Sequence, residues 1–218
     1  MTNLRRQRVG VMGGMFDPVH LGHLQIAENA RSLCGLAQVR LVPCGNPVHR
    51  PPARVTAEQR IGMLELAVAN NPWLRVDTRE CRSAAPSYTW NTLTKLRHEH
   101  PEAVLYLLMG LDAFLALHSW YHWKDLFELA HLVVAGRPGY AFAAEALEPQ
   151  LRMEAAARLT TNCTDLAADN NGRVLLVTSP TPPISSTRVR QLVREGADTA
   201  NLLPPAVAEF IGNHGLYQ

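Results

Sequence analysis

Near the start of the chain runs Gly13-Gly14-Met15-Phe16-Asp17-Pro18-Val19-His20-Leu21-Gly22-His23. Two glycines stand beside two histidines three residues apart. Gly13 and Gly14 remove side chains, so backbone can approach a ligand closely. Pro18 stiffens the turn. If a helix begins around Leu21, its free N–H groups favour a phosphate, and His20 and His23 project to nearly the same side. Two imidazoles there can donate to non-bridging oxygens and stabilise charge that grows in a transition state. Neither has to be a general base, because a phosphate nucleophile is already ionised at neutral pH. The segment is neither the dinucleotide fingerprint nor a P-loop, since Gly-Lys-Ser/Thr is missing. Two other readings fit the same residues. Asp17, His20 and His23 are ordinary zinc-ligand types, although no Cys or Glu is placed to complete such a site. The histidines could also simply cap the helix.

A second group of chemically capable residues lies at Ile184-Ser185-Ser186-Thr187-Arg188-Val189-Arg190. Hydroxyl residues precede an amphipathic run in which Val189, Leu192 and Val193 share a face and Gly196 can stop the helix. This reads as an N-capped helix. Arg190 falls one turn after Ser186 on the same side. Hydroxyls, free N–H groups and a guanidinium together make an anion site, although capping alone would also explain the hydroxyls.

The elements that must position these groups are legible from periodicity. Apolar, Val- and Leu-rich runs recur at Val9–Met12, Val39–Val42, Leu74–Val76, Val104–Met109, Leu132–Ala135 and Val174–Thr178. Most are continuous rather than alternating, which suits strands buried on both faces. Helical patterns separate them: Ile26 to Cys34 with Gly35 as a stop, a capping box at Thr56–Gln59, a helix from about Tyr88 to His98, and an alanine-rich helix over Ala141–Ala157. The alternation predicts an α/β fold, a Rossmann-like open, mostly parallel sheet with helices on both faces. In such sheets ligands bind beyond the carboxyl ends of the strands, where the opening motif sits.

The 218 residues suggest a single domain over 1–218, with a C-terminal helical part from about 184 to 218 packed on it. Apolar residues make up 47% of the chain, enough for a full core, and the formal charge of +2 argues against a nucleic-acid partner. No apolar run approaches the roughly 18 residues of a membrane span, and no signal-peptide pattern is present. Cys34, Cys44, Cys81 and Cys163 form no CxxC pair, as expected of reduced thiols in a cytoplasmic protein.

The opening segment resembles the GxFxPxHxGH signature of the nucleotidylyltransferase superfamily, filled here by Gly14, Phe16, Pro18, His20, Gly22 and His23. The second segment resembles the ISSTxxR motif of its adenylyltransferases, which holds the β- and γ-phosphates of ATP. Asn46–Arg50, Pro86–Thr89, Gly110–Asp112, Ser119–Tyr121, Arg137–Tyr140 and the tail from Leu202 to Tyr217 are similar to the bacterial nicotinate mononucleotide adenylyltransferase family. That resemblance covers nearly the whole chain.

It implies adenylyl transfer from ATP to nicotinate mononucleotide, giving nicotinate adenine dinucleotide and pyrophosphate. His20 and His23 would be catalytic. ATP would be bound by Gly13, Gly14, Met15, Phe16, His20, His23, Gly110, Asp112, Ile184, Ser185, Ser186 and Arg190. Substrate would be bound by His49, Arg50, Thr89, Trp120, Tyr121 and Arg137. Trp120 would stack on the nicotinate ring, where a pyridinium gains from the indole quadrupole, although core packing is the ordinary use of such a Trp. Backbone N–H groups of Thr89 and Tyr121 would take the carboxylate. Asp112 could accept from a ribose or cap a helix. Arg137 would face either the substrate phosphate or ATP, and His49 and Arg50 would close over the nucleotides. Magnesium is implied by the triphosphate and not by any ligand cluster, so no protein metal site is expected. The expected form is a monomer or weak homo-oligomer, with no nucleic-acid or membrane partner.

The chain departs from the family at Pro47-Val48-His49-Arg50, where Pro-Pro-His-Arg or Pro-Pro-His-Lys is common, and at Cys44-Gly45, where asparagines are frequent. Phosphopantetheine adenylyltransferase shares both phosphate motifs, but it usually has Thr in place of His20, is shorter, and lacks the features at Trp120 and Pro86–Thr89. A noncatalytic nucleotide sensor would be expected to lose a phosphate-site histidine or the arginine. A synthetase fragment would want a more basic surface and an anticodon-binding domain.

Overall fold

The structure is a computed structural model, described over residues 6–48, 51–136, 143–167, 169–177 and 183–218. The chain begins β1 (Arg8–Gly14), α1 (Leu21–Cys34), β2 (Gln38–Pro43), α2 (Ala57–Val68), β3 (Leu74–Val76), α3 (Thr89–Glu99), β4 (Val104–Gly110), α4 (Leu111–Leu115). It continues α5 (Leu126–Leu129), β5 (His131–Ala135), α6 (Pro149–Ala156), β6 (Leu159–Thr160), β7 (Val174–Val177), α7 (Ser186–Arg194) and α8 (Pro205–Asn213), with short 3₁₀ turns among them.

The seven strands form one sheet in the order β3-β2-β1-β4-β5-β7-β6. The pairs β1–β4, β4–β5, β5–β7 and β6–β7 are parallel. The expected Rossmann-like, mostly parallel sheet is therefore present. Every residue of β5 and all but the last of β4 are buried, which is why these strands read as unbroken apolar runs. The strand order changes direction at β1, whose carboxyl end carries Gly13 and Gly14.

Local chemistry accounts for most boundaries. α1 stops at Gly35, which takes a φ of 61°. α2 starts at a full capping box: Gln59 N–H donates to Thr56 Oγ1 and Thr56 N–H donates to Gln59 Oε1. One expectation needs correction. The stretch expected as a single helix over Ala141–Ala157 is, where described, a 3₁₀ turn at Ala144–Ala146 followed by α6. The break falls at Leu147 and Glu148, because Pro149 stands at the first helical position and the Glu148 carboxylate accepts from Gln150 and Leu151 N–H.

The residues cluster into two compact units, each built from several segments. The first takes 1–12, 26–39 and 88–181. The second takes 13–25, 40–87 and 182–218. In the first, Val9, Leu105, Phe114, Phe127 and Leu132 are among the fully buried side chains. In the second, Leu41, Met63, Leu64 and Leu74 are buried with Val189, Val207 and Ile211 of α7 and α8.

Candidate active site

The opening motif leaves β1 at Gly13, turns through Phe16 with a φ of 48°, crosses a cis Asp17–Pro18 bond and enters α1. Its first helical N–H, on Leu21, is spent on Leu202 O at 2.8 Å. His20 is 5% exposed. Its ring stacks on that of His23 with centroids 3.6 Å apart and planes 21° apart, and Phe16 meets His23 edge-on at 5.0 Å. The spacing therefore does put the two imidazoles side by side.

Two details lay beyond the sequence. The backbone N–H of His20 donates to Nδ1 of His23 at 3.2 Å, so a neutral His23 carries its ring proton on Nε2. His20 Nδ1 is buried without a hydrogen-bond partner among the described residues. A buried ring nitrogen left unpaired is costly unless something else reaches it. Gly22 makes room for this arrangement: a Cβ there would lie 3.1 Å from His20 Nδ1 and 3.5 Å from Ile184 Cβ. Burial pushes His20 down to about 4, with a backbone hydrogen bond opposing it in part. Burial, and then the neighbouring His20, push His23 well below the usual histidine range. Both rings are neutral donors at neutral pH.

Asp17 is the hub of the motif. It is 5% exposed. Its Oδ1 accepts from the Tyr217 hydroxyl at 2.9 Å and its Oδ2 from the Arg54 N–H at 2.8 Å. Its carbonyl accepts from Arg190 Nη1 at 2.6 Å, while that guanidinium stands 3.8 Å from Oδ2. Both oxygens of this carboxylate are thus hydrogen-bonded within the protein. Arg60, 2% exposed, donates to Met15 O at 2.9 Å.

The second motif touches the first directly. Ser185 caps α7 through Arg188 N–H, Ser186 Oγ donates to Pro18 O at 2.9 Å, and Arg190 Nη2 donates to Thr187 Oγ1. Two of the predicted anion-site groups, Ser186 and Arg190, thus also brace the opening loop. Gly13 and Gly110 both face open space where a Cβ would project. Gly110 caps α4, and Asp112 lies exposed in its first turn.

In the first unit, Tyr88 stacks on Tyr121 with centroids 4.4 Å apart, and Trp90 stacks on His122 at 4.7 Å. The residues flanking Thr89 therefore pack against Tyr121 and its neighbour, which brings the two predicted backbone donors into one neighbourhood. Thr89 is the first residue of α3, where N–H groups have no partner within the helix. Trp120 is partly buried, and Tyr121 is 44% exposed. His49, Arg50 and Arg137 lie outside the described residues.

Sequence reasoning missed Arg60, Asp17 as a hub, and Tyr217. For Arg60 a signal existed: it sits four residues before Leu64, on the face that α2 buries. For Tyr217 no local pattern could have shown a partner 200 residues away.

A family model described as cytidylyltransferase-like matches residues 11–192, a span that takes in both phosphate motifs. A relative from Aeromonas hydrophila is 43% identical over 214 residues, covering 96% of this chain and 97% of the relative. One from Laribacter hongkongensis is 43% identical over 219 residues, covering 100% and 98%. Both carry the name "Probable nicotinate-nucleotide adenylyltransferase". The chain belongs to the cytidylyltransferase-like family and, within it, to the nicotinate-nucleotide adenylyltransferases. A solved Plasmodium falciparum nicotinic acid mononucleotide adenylyltransferase complexed with NaAD shares the fold, with a TM-score of 0.73 at 16% identity over 97% of this chain and 98% of that one. Among the described residues, no helix is long and apolar enough to cross a membrane.

Proposed function

We propose that the chain moves the adenylyl group of ATP onto nicotinate mononucleotide, in NAD biosynthesis. A phosphate oxygen of the mononucleotide attacks the α-phosphorus of ATP in line. Pyrophosphate leaves, nicotinate adenine dinucleotide forms, and no covalent enzyme intermediate is needed. The observation that carries this reading is the stacked, neutral pair His20–His23 with His20 Nδ1 unpaired. Neutral imidazoles can donate to the α-phosphate and strengthen that bond as charge grows there. Holding both reactants in line accounts for most of what such a transfer needs.

In this reading Gly13 and Gly14 give the nucleotide clearance, and Ser185, Ser186 and Arg190 hold the leaving phosphates. Gly110 and Asp112 serve the nucleotide ribose. Trp120, with the backbone donors of Thr89 and Tyr121, takes the nicotinate ring and its carboxylate. His49, Arg50 and Arg137 remain assigned to substrate. A divalent ion, magnesium, would come with the triphosphate and would neutralise part of its charge. Among the described residues there is no group of three or more His, Cys, Asp or Glu side chains that could hold a metal ion. We further propose that residues 1–218 act as one nucleotidylyltransferase domain with the 184–218 part packed on it, as a cytoplasmic monomer or weak homo-oligomer, without nucleic-acid or membrane partners.

One assay tests the acceptor. ATP is supplied with nicotinate mononucleotide, nicotinamide mononucleotide or phosphopantetheine in parallel, and pyrophosphate is followed. The first acceptor is expected to react fastest. Equal rates with the first two would remove the carboxylate-recognition role, and a faster third would overturn the assignment.

A further inference from the structure

Tyr217 belongs to no catalytic motif, yet its hydroxyl is the buried partner of the Asp17 carboxylate. Burial, then the charge and hydrogen bond of Asp17, raise its phenol well above the usual tyrosine range, so it stays a donor. The backbone at Tyr217 takes a φ of 64°, a left-handed conformation that a bulky residue adopts only when its surroundings impose it. The side chain is 8% exposed. The tail is therefore fixed by this contact and is not merely draped over the surface.

The contact matters because of what it denies to Arg190. A buried carboxylate beside an arginine ordinarily forms a short, two-pronged pair. Here Oδ1 is taken by Tyr217 and Oδ2 by the Arg54 N–H, and the guanidinium stands 3.8 Å from Oδ2, making its short bonds to the Asp17 carbonyl and to Thr187 Oγ1. These partners are neutral and hold a guanidinium less firmly than a free carboxylate would.

We infer that Tyr217 is a positioning residue for the leaving phosphates: by occupying Asp17 Oδ1 it keeps Arg190 from closing on the Asp17 carboxylate and so keeps that guanidinium available to the triphosphate. This rests on the reading of Arg190 as a phosphate ligand. Without the hydroxyl, Oδ1 is freed in a buried site beside the Arg190 guanidinium, while the nearby Arg60 is bonded to Met15 O. Arg190 would turn to it and satisfy it, so stability would change little while phosphate binding suffered.

The test is a double-mutant cycle on the full chain with ATP and nicotinate mononucleotide, reading kcat, both KM values and the thermal midpoint. Tyr217→Phe is expected to raise KM for ATP about five- to tenfold, the weight of one diverted charge-assisted hydrogen bond. KM for nicotinate mononucleotide and kcat should change less than about twofold, and the midpoint should fall by no more than about 4 °C. Arg190→Ala alone should raise KM for ATP further, and adding Tyr217→Phe to it should change nothing more. If Arg190→Ala leaves KM for ATP unchanged, the phosphate-ligand reading fails and this inference fails with it. If Arg190→Ala acts but Tyr217→Phe does not, or if its effect persists in the Arg190→Ala background, the inference alone fails. A loss of midpoint with parallel changes in both KM values and kcat would mark Tyr217 as merely structural and overturn the positioning role.

Discussion

Keeping His20 and His23 neutral ties stability to pH. An unfolded histidine titrates near 6.5 and folded His20 near 4, so between those values the unfolded chain binds more protons. Stability is therefore level above about pH 6.5 and falls as the pH drops toward 4, by on the order of 3 kcal/mol for His20 alone. His23 acts in the same direction. Thermal melts across this window should show the decline, and His20→Gln should flatten part of it. His20→Ala should fold and yet lose at least about a hundredfold in kcat, the scale of removing one donor to a developing charge. A variant that kept near wild-type turnover would contradict the donor role. Gly22→Ala separates packing from chemistry more finely. Alanine favours a helix by about 0.5–1 kcal/mol, but its Cβ would press on the His20 ring at 3.1 Å, while Ile184 at 3.5 Å is in ordinary contact. Unchanged or higher stability with at least tenfold lower kcat/KM is expected, measured by denaturant titration and steady-state kinetics. The histidine pair was legible from type and spacing. The tautomer of His23 and the need for Gly22 were not, because both depend on how one ring lies against a neighbouring backbone.

The elements were read best where one short-range rule dominates. Apolar runs marked six of the seven strands, most plainly β4 and β5, where burial on both faces leaves no alternation to misread. β6 has two residues, too few for any period. The capping box at Thr56 was visible because both partners lie within four residues. Thr56→Ala should cost about 1 kcal/mol, seen as a lower thermal midpoint, with kcat retained. At 141–157 alanine content outweighed Pro149 in the reading, although a proline at a first helical position is itself a start signal. Gly45, a departure from the family where asparagine is frequent, has a local cause. A Cβ there would fall 2.2 Å from Glu80 O, and its N–H donates to Ser87 Oγ. Gly45→Ala should destabilise by about 1–3 kcal/mol or more, as overpacking against backbone does.

At the scale of the whole molecule the two phosphate motifs and the aromatic segments fall in different units. Both phosphate motifs belong to the second unit, and the Tyr88–Trp90 and Trp120–His122 aromatic segments belong to the first. In the reading proposed above, ATP alone should slow amide exchange around 13–25, 110–112 and 184–194, and nicotinate mononucleotide alone around 88–90 and 120–122. Protection in the opposite pattern would reverse the assigned roles. The alternation of strands and helices announced the sheet, but the discontinuous units were hidden, because their boundaries follow contacts between distant segments and not changes in composition. Asp17 shows the consequence. Its oxygens are met by residues 37, 173 and 200 positions away. The opening segment is therefore not a portable cassette. Transplanted onto another parallel sheet, it would carry a buried carboxylate without Arg54, Arg190 or Tyr217 to meet it. A designer who wanted these two histidines would have to borrow most of the second unit with them, or begin by replacing Asp17.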